Sequence, residues 1–336
     1  MDNLIGTVMM EKSNRLHDLQ IMKVVAVFCV VYGHVILPFT NYSPAGGQIV
    51  PLYNGIMNFL AHFHTPCFTY CSGFIFGFLL SLGKYNNGKE FFFNKFKRLL
   101  KPWLVYGIIS CLVYASNPVI LLQSGFHVWY LLMLFECFFI TWIYDKYASS
   151  SRRDVILLVC CLLLTIKSPA SSKWFSIAGL ISQYPFFFVG YYLSKKNVFE
   201  FISTQIGLKK VLSMFVFVVV FVMTVAGISG YYFEVDCGVI LWVKRLCMSF
   251  IFVLFIVNLH ALLRFVRIER MLSVIEFLDR YSYRIYLIHP FIISLLIYYF
   301  PINQNFLLLF FRYFFVLLSS LLFAFLIEKS FFRKLL

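Results

Sequence analysis

The stretch from Leu19 to Pro38, LQIMKVVAVFCVVYGHVILP, decides the fold class of this chain. Its residues are almost all apolar, and the stretch has the length that an α-helix needs to cross the hydrocarbon core of a bilayer. Two ionisable side chains, Lys23 and His34, interrupt the apolar run. Placing a charge or an unpaired ring nitrogen at that depth is costly, so both residues are candidates for a functional site.

The rest of the chain has the same apolar character. Of its 336 residues, 61% are hydrophobic and only 13% are charged, whereas soluble domains carry roughly 25% charged residues. We therefore predict an all-α polytopic membrane protein with about ten transmembrane helices. Since no hydrophilic stretch is long enough for a second folded domain, residues 1–336 are expected to form a single domain. The apolar segments are Leu19–Pro38, Ile56–Leu82, Leu99–Ser116, Val128–Tyr144, Val155–Ile166, Phe175–Leu193, Val211–Gly230, Gly238–Leu263, Tyr283–Phe300 and Phe306–Ile327.

The net charge of +15 is explained by topology and not by nucleic-acid binding. With the N-terminus in the cytoplasm, 22 of the 29 lysines and arginines fall in inside segments, and only Lys167 and Lys173 fall in outside loops. Positive charge is concentrated on the cytoplasmic side of membrane proteins, so both termini are predicted to be cytoplasmic. The basic inside segments are also suited to contact with anionic membrane lipids.

Lys23 and His34 are eleven residues apart on the predicted first helix. This separation is about three turns, so the two side chains share one face about 16 Å apart. They cannot touch, but they can line one path. Two plainer interpretations stay open: Lys23 can extend to the cytoplasmic headgroups, and His34 can simply hydrogen-bond between helices.

The basic residue at 23 and the histidine at 34 are the first of a series of motifs along the chain. The later motifs are HFHTPCF at 62–68 followed by Ser72-Gly73-Phe74, RLLKP at 98–102, HVWYL at 127–131 and YSYRIYLIH at 281–289. Taken in order, these motifs resemble those of the acyltransferase 3 family of bacterial membrane O-acyltransferases. Two departures concern Lys23 and Lys101, because arginine is common at both places in that family and lysine loses the bidentate phosphate geometry.

This resemblance implies an O-acetyltransferase of the bacterial inner membrane. The acyl donor would be cytoplasmic acetyl-CoA, and the acceptor a sugar hydroxyl of a surface glycan, such as an O-antigen or capsule precursor on a polyprenyl carrier. Lys97, Arg98 and Lys101 would hold the donor's phosphates. His34 would be the general base for the acceptor hydroxyl or, less readily, a nucleophile. Lys23 would lie along the donor's arm.

Glu136 is the acidic residue deepest in any predicted span, and it lies on nearly the same helical face as Trp129. It is expected either to orient His34 or to pair with a cation such as Arg284 or Arg312, since buried charges need partners.

Six further residues are candidates for contact with the acceptor. Ser72 and His289 also have structural interpretations, close helix packing and a hinge before Pro290 respectively. No metal is predicted, because His62 and His64 diverge by about 200° on a helix and cannot easily join His34 as ligands. The acceptor candidates are His64, Trp129, Ser72, Lys244, Arg245 and His289.

The sequence leaves several questions open. A transporter or flippase of a lipid-linked sugar would use the same intramembrane charges, and it is the main alternative. Whether the acyl group is acetyl or succinyl, and the oligomeric state, are not encoded in these motifs. The linker Arg264–Tyr281 alternates apolar and charged residues, which predicts an amphipathic helix along the membrane surface.

Overall fold

A computed structural model of the protein describes residues 2–41, 49–123, 126–164, 174–198, 207–232, 238–263, 271–300 and 304–330. All regular elements in these ranges are helical. Short 3-10 turns occupy Leu37–Phe39 and Trp174–Ser176, and a π-helical turn occupies Phe96–Leu100. The helices are α1 (Asp2–Ile36), α2 (Pro51–Ser81), α3 (Gly88–Lys95), α4 (Lys101–Val113), α5 (Val119–Leu122), α6 (Trp129–Tyr147), α7 (Ser151–Leu164), α8 (Ile177–Lys195), α9 (Leu208–Tyr232), α10 (Gly238–Leu263), α11 (Leu272–Tyr299) and α12 (Phe306–Lys329).

The all-α class is confirmed, and each of the ten predicted apolar segments overlaps a helix. A helix satisfies all its backbone polar groups internally, which is what the hydrocarbon region demands. Among the described residues, three helical stretches have the length and apolar content of a membrane span: His17–Phe39, Pro51–Ser81 and Phe306–Lys329. The chain is therefore a membrane protein, while ten spans and cytoplasmic termini stay predictions.

The expected surface helix at Arg264–Tyr281 does not form as a separate element. Residues 272–281 are instead the first turns of α11, which continues without a break to Tyr299; residues 264–270 lie outside the described ranges. The charges of this segment have partners on other helices: Asp279 contacts Lys23, and Arg280 contacts Glu328. These contacts explain why a segment with many charges continues into an apolar helix.

The chain forms two compact units. The first unit comprises Met1–Phe68, Ile202–Gly230 and Leu254–Leu335, and the second comprises Thr69–Phe201 and Tyr231–Val253 together with the last residue.

In the first unit, α1 and α11 pack side by side and run in the same direction. Lys23 lies opposite Asp279, and eleven residues later His34 lies opposite His289. The two helices therefore stay in register over about three turns. Helix α12 runs antiparallel to α11, because Glu328 near its end contacts Arg284 near the start of α11.

In the second unit, glycines bring α2 and α8 into backbone contact. A Cβ atom on Gly73 would lie 2.0 Å from the Phe187 carbonyl oxygen, and one on Gly190 would lie 2.3 Å from the Tyr70 carbonyl oxygen. Any side chain at these positions would force the helices apart. Small residues therefore set the spacing of this helix pair.

Candidate functional site

Lys23 forms an ion pair with Asp279 inside the first unit. Its ammonium nitrogen lies 2.7 Å from one carboxylate oxygen and 2.8 Å from the other. The Lys23 side chain is 24% exposed and that of Asp279 is 12% exposed, so the pair is largely shielded from solvent. Lys23 therefore has a fixed partner on α11, and the local charge is balanced.

Two further acid–base contacts secure the start of the apolar part of α1. His260 on α10 and Asp18 are both buried, with Nε2 and Oδ2 3.1 Å apart. His17 lies 3.8 Å from Glu276 on α11. Sequence reasoning missed these contacts, because Asp18 and Glu276 lie in segments that read as polar flanks and His260 reads as one more residue of an apolar run.

His34 and His289 meet face to edge at the other end of the paired helices. Their ring centroids are 4.9 Å apart with an interplanar angle of 67°, and His289 Nε2 lies 3.3 Å from His34 Nδ1. His34 Nδ1 is also 2.9 Å from the Val30 carbonyl oxygen. His289 Nδ1 is 3.0 Å from the carbonyl oxygen of Ile285.

These distances assign the neutral tautomers of the two rings. A carbonyl oxygen can only accept, so Nδ1 of each histidine carries the proton and donates it to the helix backbone. His34 Nε2 then holds a lone pair and can act as a base. His289 Nε2 also holds a lone pair, and it is directed at the Nδ1 proton of His34. A protonated His34 would thus keep two acceptors around its Nδ1–H.

His64 lies beside the same point of α1. Its Nε2 would be 3.9 Å from a Cβ atom on Gly33, the residue next to His34, and its Nδ1 is 2.7 Å from the hydroxyl of Thr65. The structure thus brings His64, His34 and His289 into one neighbourhood of the first unit. His62, two residues before His64, has Nδ1 2.7 Å from the carbonyl oxygen of Asn58.

The three cations predicted to bind phosphate lie on a continuous basic segment of the second unit. Lys97 and Arg98 are exposed on the π-helical turn, and Lys101 opens α4. Pro102 has no N–H to donate to the Arg98 carbonyl, and its ring crowds that carbonyl, so the helix widens locally. Such π-turns often mark functional sites.

Lys95 is a buried cation that sequence reasoning counted only as part of this basic segment. It is 5% exposed, and its ammonium nitrogen lies 3.3 Å from the ring centroid of Phe138, with Phe76 and Tyr85 slightly farther away. Burial, reinforced by the positive charges of Arg98 and Lys84, lowers the pKa of Lys95 well below its usual value. The aromatic faces compensate only partly for the lost hydration.

Glu136 has no charged partner among the described residues. Its Oε2 atom is buried and accepts no hydrogen bond within that part of the chain. Arg284, one of the cations considered for it, pairs with Glu328 at 2.8 Å. The other, Arg312, donates to the carbonyl oxygen of Phe300 at 3.3 Å.

Trp129 and Ser72 both make packing contacts in the second unit. The Trp129 ring covers Gly179 of α8 so closely that a Cβ atom there would lie 2.5 Å from it. The Ser72 hydroxyl hydrogen-bonds Tyr130, and the adjacent Gly73 is the point of closest approach to α8. These contacts agree with the packing interpretation of the Ser-Gly pair, and a contact of Ser72 with the acceptor stays a prediction.

Two of the predicted acceptor contacts cannot be described further. Lys244 and Arg245 lie on α10, but their side chains are outside the part of the chain that the structure describes. Within that part, no three His, Cys, Asp or Glu side chains are grouped so that they could hold a metal ion.

Fold and site together define an all-α membrane protein with a tautomer-fixed histidine pair. A family model described as "Acyltransferase domain", that of the acyltransferase 3 family, matches residues 16–329. The chain therefore belongs to the acyltransferase 3 family and is a membrane acyltransferase. No curated protein and no solved structure matches it.

Proposed function

We propose that this protein is an O-acetyltransferase that moves an acetyl group from cytoplasmic acetyl-CoA to a sugar hydroxyl of a surface glycan in the bacterial inner membrane. The observation that carries the proposal is the His34–His289 pair, 3.3 Å apart, with both Nδ1 atoms committed to backbone carbonyls. This arrangement leaves the lone pair of His34 Nε2 as a base, which is what the attack of a hydroxyl on a thioester requires.

The proposed step balances without a further reagent. His34 Nε2 takes the proton of the sugar hydroxyl while the sugar oxygen bonds to the acetyl carbon. The carbon–sulfur bond then breaks, and the proton passes from His34 to the departing CoA thiolate. His289 acts through His34 as a positioning residue, since its lone pair stabilises the transient imidazolium.

The donor is a large anion with a neutral arm, and the cations of this chain suit its two parts differently. Lys97 and Arg98 are exposed and Lys101 is half-buried at the start of α4, so these three positive charges suit phosphates. Lys23 is neutralised by Asp279. We expect it to hydrogen-bond the uncharged amides of the pantetheine arm, since an ammonium group has three donors.

Glu136, which lies in the second unit, is kept as a candidate catalytic residue. A buried carboxylate oxygen without a donor is costly unless a ligand or a proton satisfies it. The acceptor candidates His64, Trp129, Ser72, Lys244, Arg245 and His289 are also kept, with His64 and His289 favoured because both lie near His34.

The test compares glycan from cells with and without this protein. A mass difference of one acetyl group per repeat, lost with the protein, supports the proposal and identifies the acceptor; an unchanged glycan contradicts it. A transporter needs no acetyl-CoA. Release of free CoA by the purified protein only when the lipid-linked glycan is present would therefore reject the transport alternative.

A further inference from the structure

A groove of about 380 Å³ lies between α1 and α12 in the first unit. None of its ten lining residues is charged, and six are aromatic. Leu60 and Leu309 are buried and close the floor, whereas Val25, Phe306 and Phe310 are exposed and form an open rim. The groove is therefore a lined trough on the side of the helix pair and not an internal cavity.

The trough is elongated along the helices. It extends from Val25 to Tyr32 on α1, a rise of about 10 Å, and from Phe306 to Phe314 on α12, a rise of about 12 Å. Its volume equals about a dozen water-sized volumes. This elongated shape accommodates a segment of a hydrocarbon chain lying along the helices.

The aromatic lining favours a branched, unsaturated chain over a straight one. A straight acyl chain gains little by leaving the bilayer, because lipid tails are as apolar as the groove. Selective binding must therefore come from shape. The rigid faces and edges of Phe28, Tyr32, Phe310 and Tyr313 suit the planar double bonds and methyl branches of isoprene units. Tyr32 and Tyr313 already meet edge to face at 5.4 Å.

Arg312 supplies a positive charge beside the trough. It lies on α12 between the lining residues Leu309 and Tyr313, and its guanidinium donates to the carbonyl oxygen of Phe300 at the end of α11. This contact draws the group towards the Phe306 end of the trough. Arginine binds phosphate through paired N–H donors, so the site suits an amphiphile with a phosphate head.

We infer that this trough binds the prenyl chain of a polyprenyl phosphate lipid, with Arg312 on its phosphate. The inference rests on the proposed function and deepens it, because such a lipid would carry the glycan acceptor. On the predicted topology the Phe306 end faces outward. Tyr32 lies about one turn before the end of α1 at Ile36. A head group that leaves the trough at Tyr32 is therefore within one turn of His34.

Photolabelling of the full-length protein in phospholipid nanodiscs tests this inference. The probe is a polyprenyl phosphate with a diazirine on the chain. We expect labelled peptides to contain residues 25–32 or 306–314, and we expect unlabelled polyprenyl phosphate to compete at a concentration at least about tenfold lower than dioleoyl phosphatidylglycerol. Equal competition by the two lipids, or labelling confined to other helices, would overturn the inference.

Matched variants locate the binding. Val25→Trp fills the rim, whereas Leu308→Trp adds the same ring to an exposed position of α12 outside the trough. Val25→Trp is expected to lower labelling about fivefold, Arg312→Gln about tenfold, and Leu308→Trp not at all. If Val25→Trp and Leu308→Trp label equally, the trough is not the site.

The binding readout separates this inference from the proposed function. Specific labelling of the trough in a protein that never transfers acetyl groups would contradict the function alone. Acetyl transfer to a lipid-linked glycan without labelling of the trough would overturn the inference alone.

Discussion

The Lys23–Asp279 ion pair permits a quantitative test of how α1 is held against α11. Fully exposed ion pairs contribute about 0–1 kcal/mol, and removing one partner of a fully buried pair costs about 3–5 kcal/mol. With side chains 24% and 12% exposed, this pair is mostly but not entirely buried. Discounting the buried figure by about half for solvent screening gives about 2 kcal/mol for either single change.

The perturbation is a double-mutant cycle. Lys23→Met leaves the Asp279 carboxylate without its cation, Asp279→Asn leaves the Lys23 ammonium without its anion, and the double variant removes both charges. We expect each single variant to lose about 2 kcal/mol, and the double variant to lose about 1–2 kcal/mol less than the sum of the two. Arg280→Gln is the control: Arg280 is 64% exposed, so its change should stay within about 0.5 kcal/mol.

Thermal unfolding of the purified protein in detergent measures the cycle. At about 2 °C per kcal/mol, each single variant should melt about 4 °C below the native protein, and the double variant about 4–6 °C below it, compared with about 8 °C if the two losses were additive. Additivity of the two single changes within about 0.5 kcal/mol would refute the ion pair, because independent sites add within that margin.

Three other changes have expected outcomes. Gly73→Ala should abolish or strongly lower the yield of folded protein measured by size-exclusion chromatography, because its Cβ would lie 2.0 Å from the Phe187 carbonyl oxygen. Gly55→Ala on the same helix is the control: its Cβ would enter open space, so the yield should be unchanged or higher. Lys95→Met should raise Tm at neutral pH, because it removes a buried cation. The pKa of Lys95 is lowered in the folded state, so between that pKa and about 10.5 the unfolded chain binds more protons and native stability rises with pH. The Tm advantage of Lys95→Met over the native protein should therefore shrink as pH rises, whereas a constant Tm difference would exclude a buried cation. His289→Leu should lower kcat about tenfold by removing the acceptor beside His34, with KM for acetyl-CoA unchanged in steady-state kinetics; a rise in KM alone would assign His289 to binding.

Much of the fold could be predicted from the sequence because lipid-spanning helices have a strong compositional signal. Each of the ten apolar segments overlaps a helix. Lys23 and His34 stood out for the same reason, since ionisable residues are rare in such runs. The structure adds a partner on α11 for each of the two residues, Asp279 for Lys23 and His289 for His34.

The partners themselves had no comparable signal. Asp279 lies 256 residues after Lys23, in a segment rich in charges, and only the parallel register of α1 and α11 brings the two together. Lys95 looked like one of several inside cations, because nothing local reveals that Phe76 and Phe138 enclose it. Tertiary packing decides these contacts, and single-sequence patterns do not encode it.

Acetyl transfer by His34→Ala tests the central claim most directly. The control is His62→Ala, which removes a histidine of α2 whose Nδ1 lies 2.7 Å from the Asn58 carbonyl oxygen. The measurement is transfer of labelled acetyl from acetyl-CoA to the surface glycan, at matched amounts of folded protein. We predict that His34→Ala lowers transfer at least about a hundredfold and that His62→Ala retains near-native activity. Native transfer by His34→Ala would contradict the account.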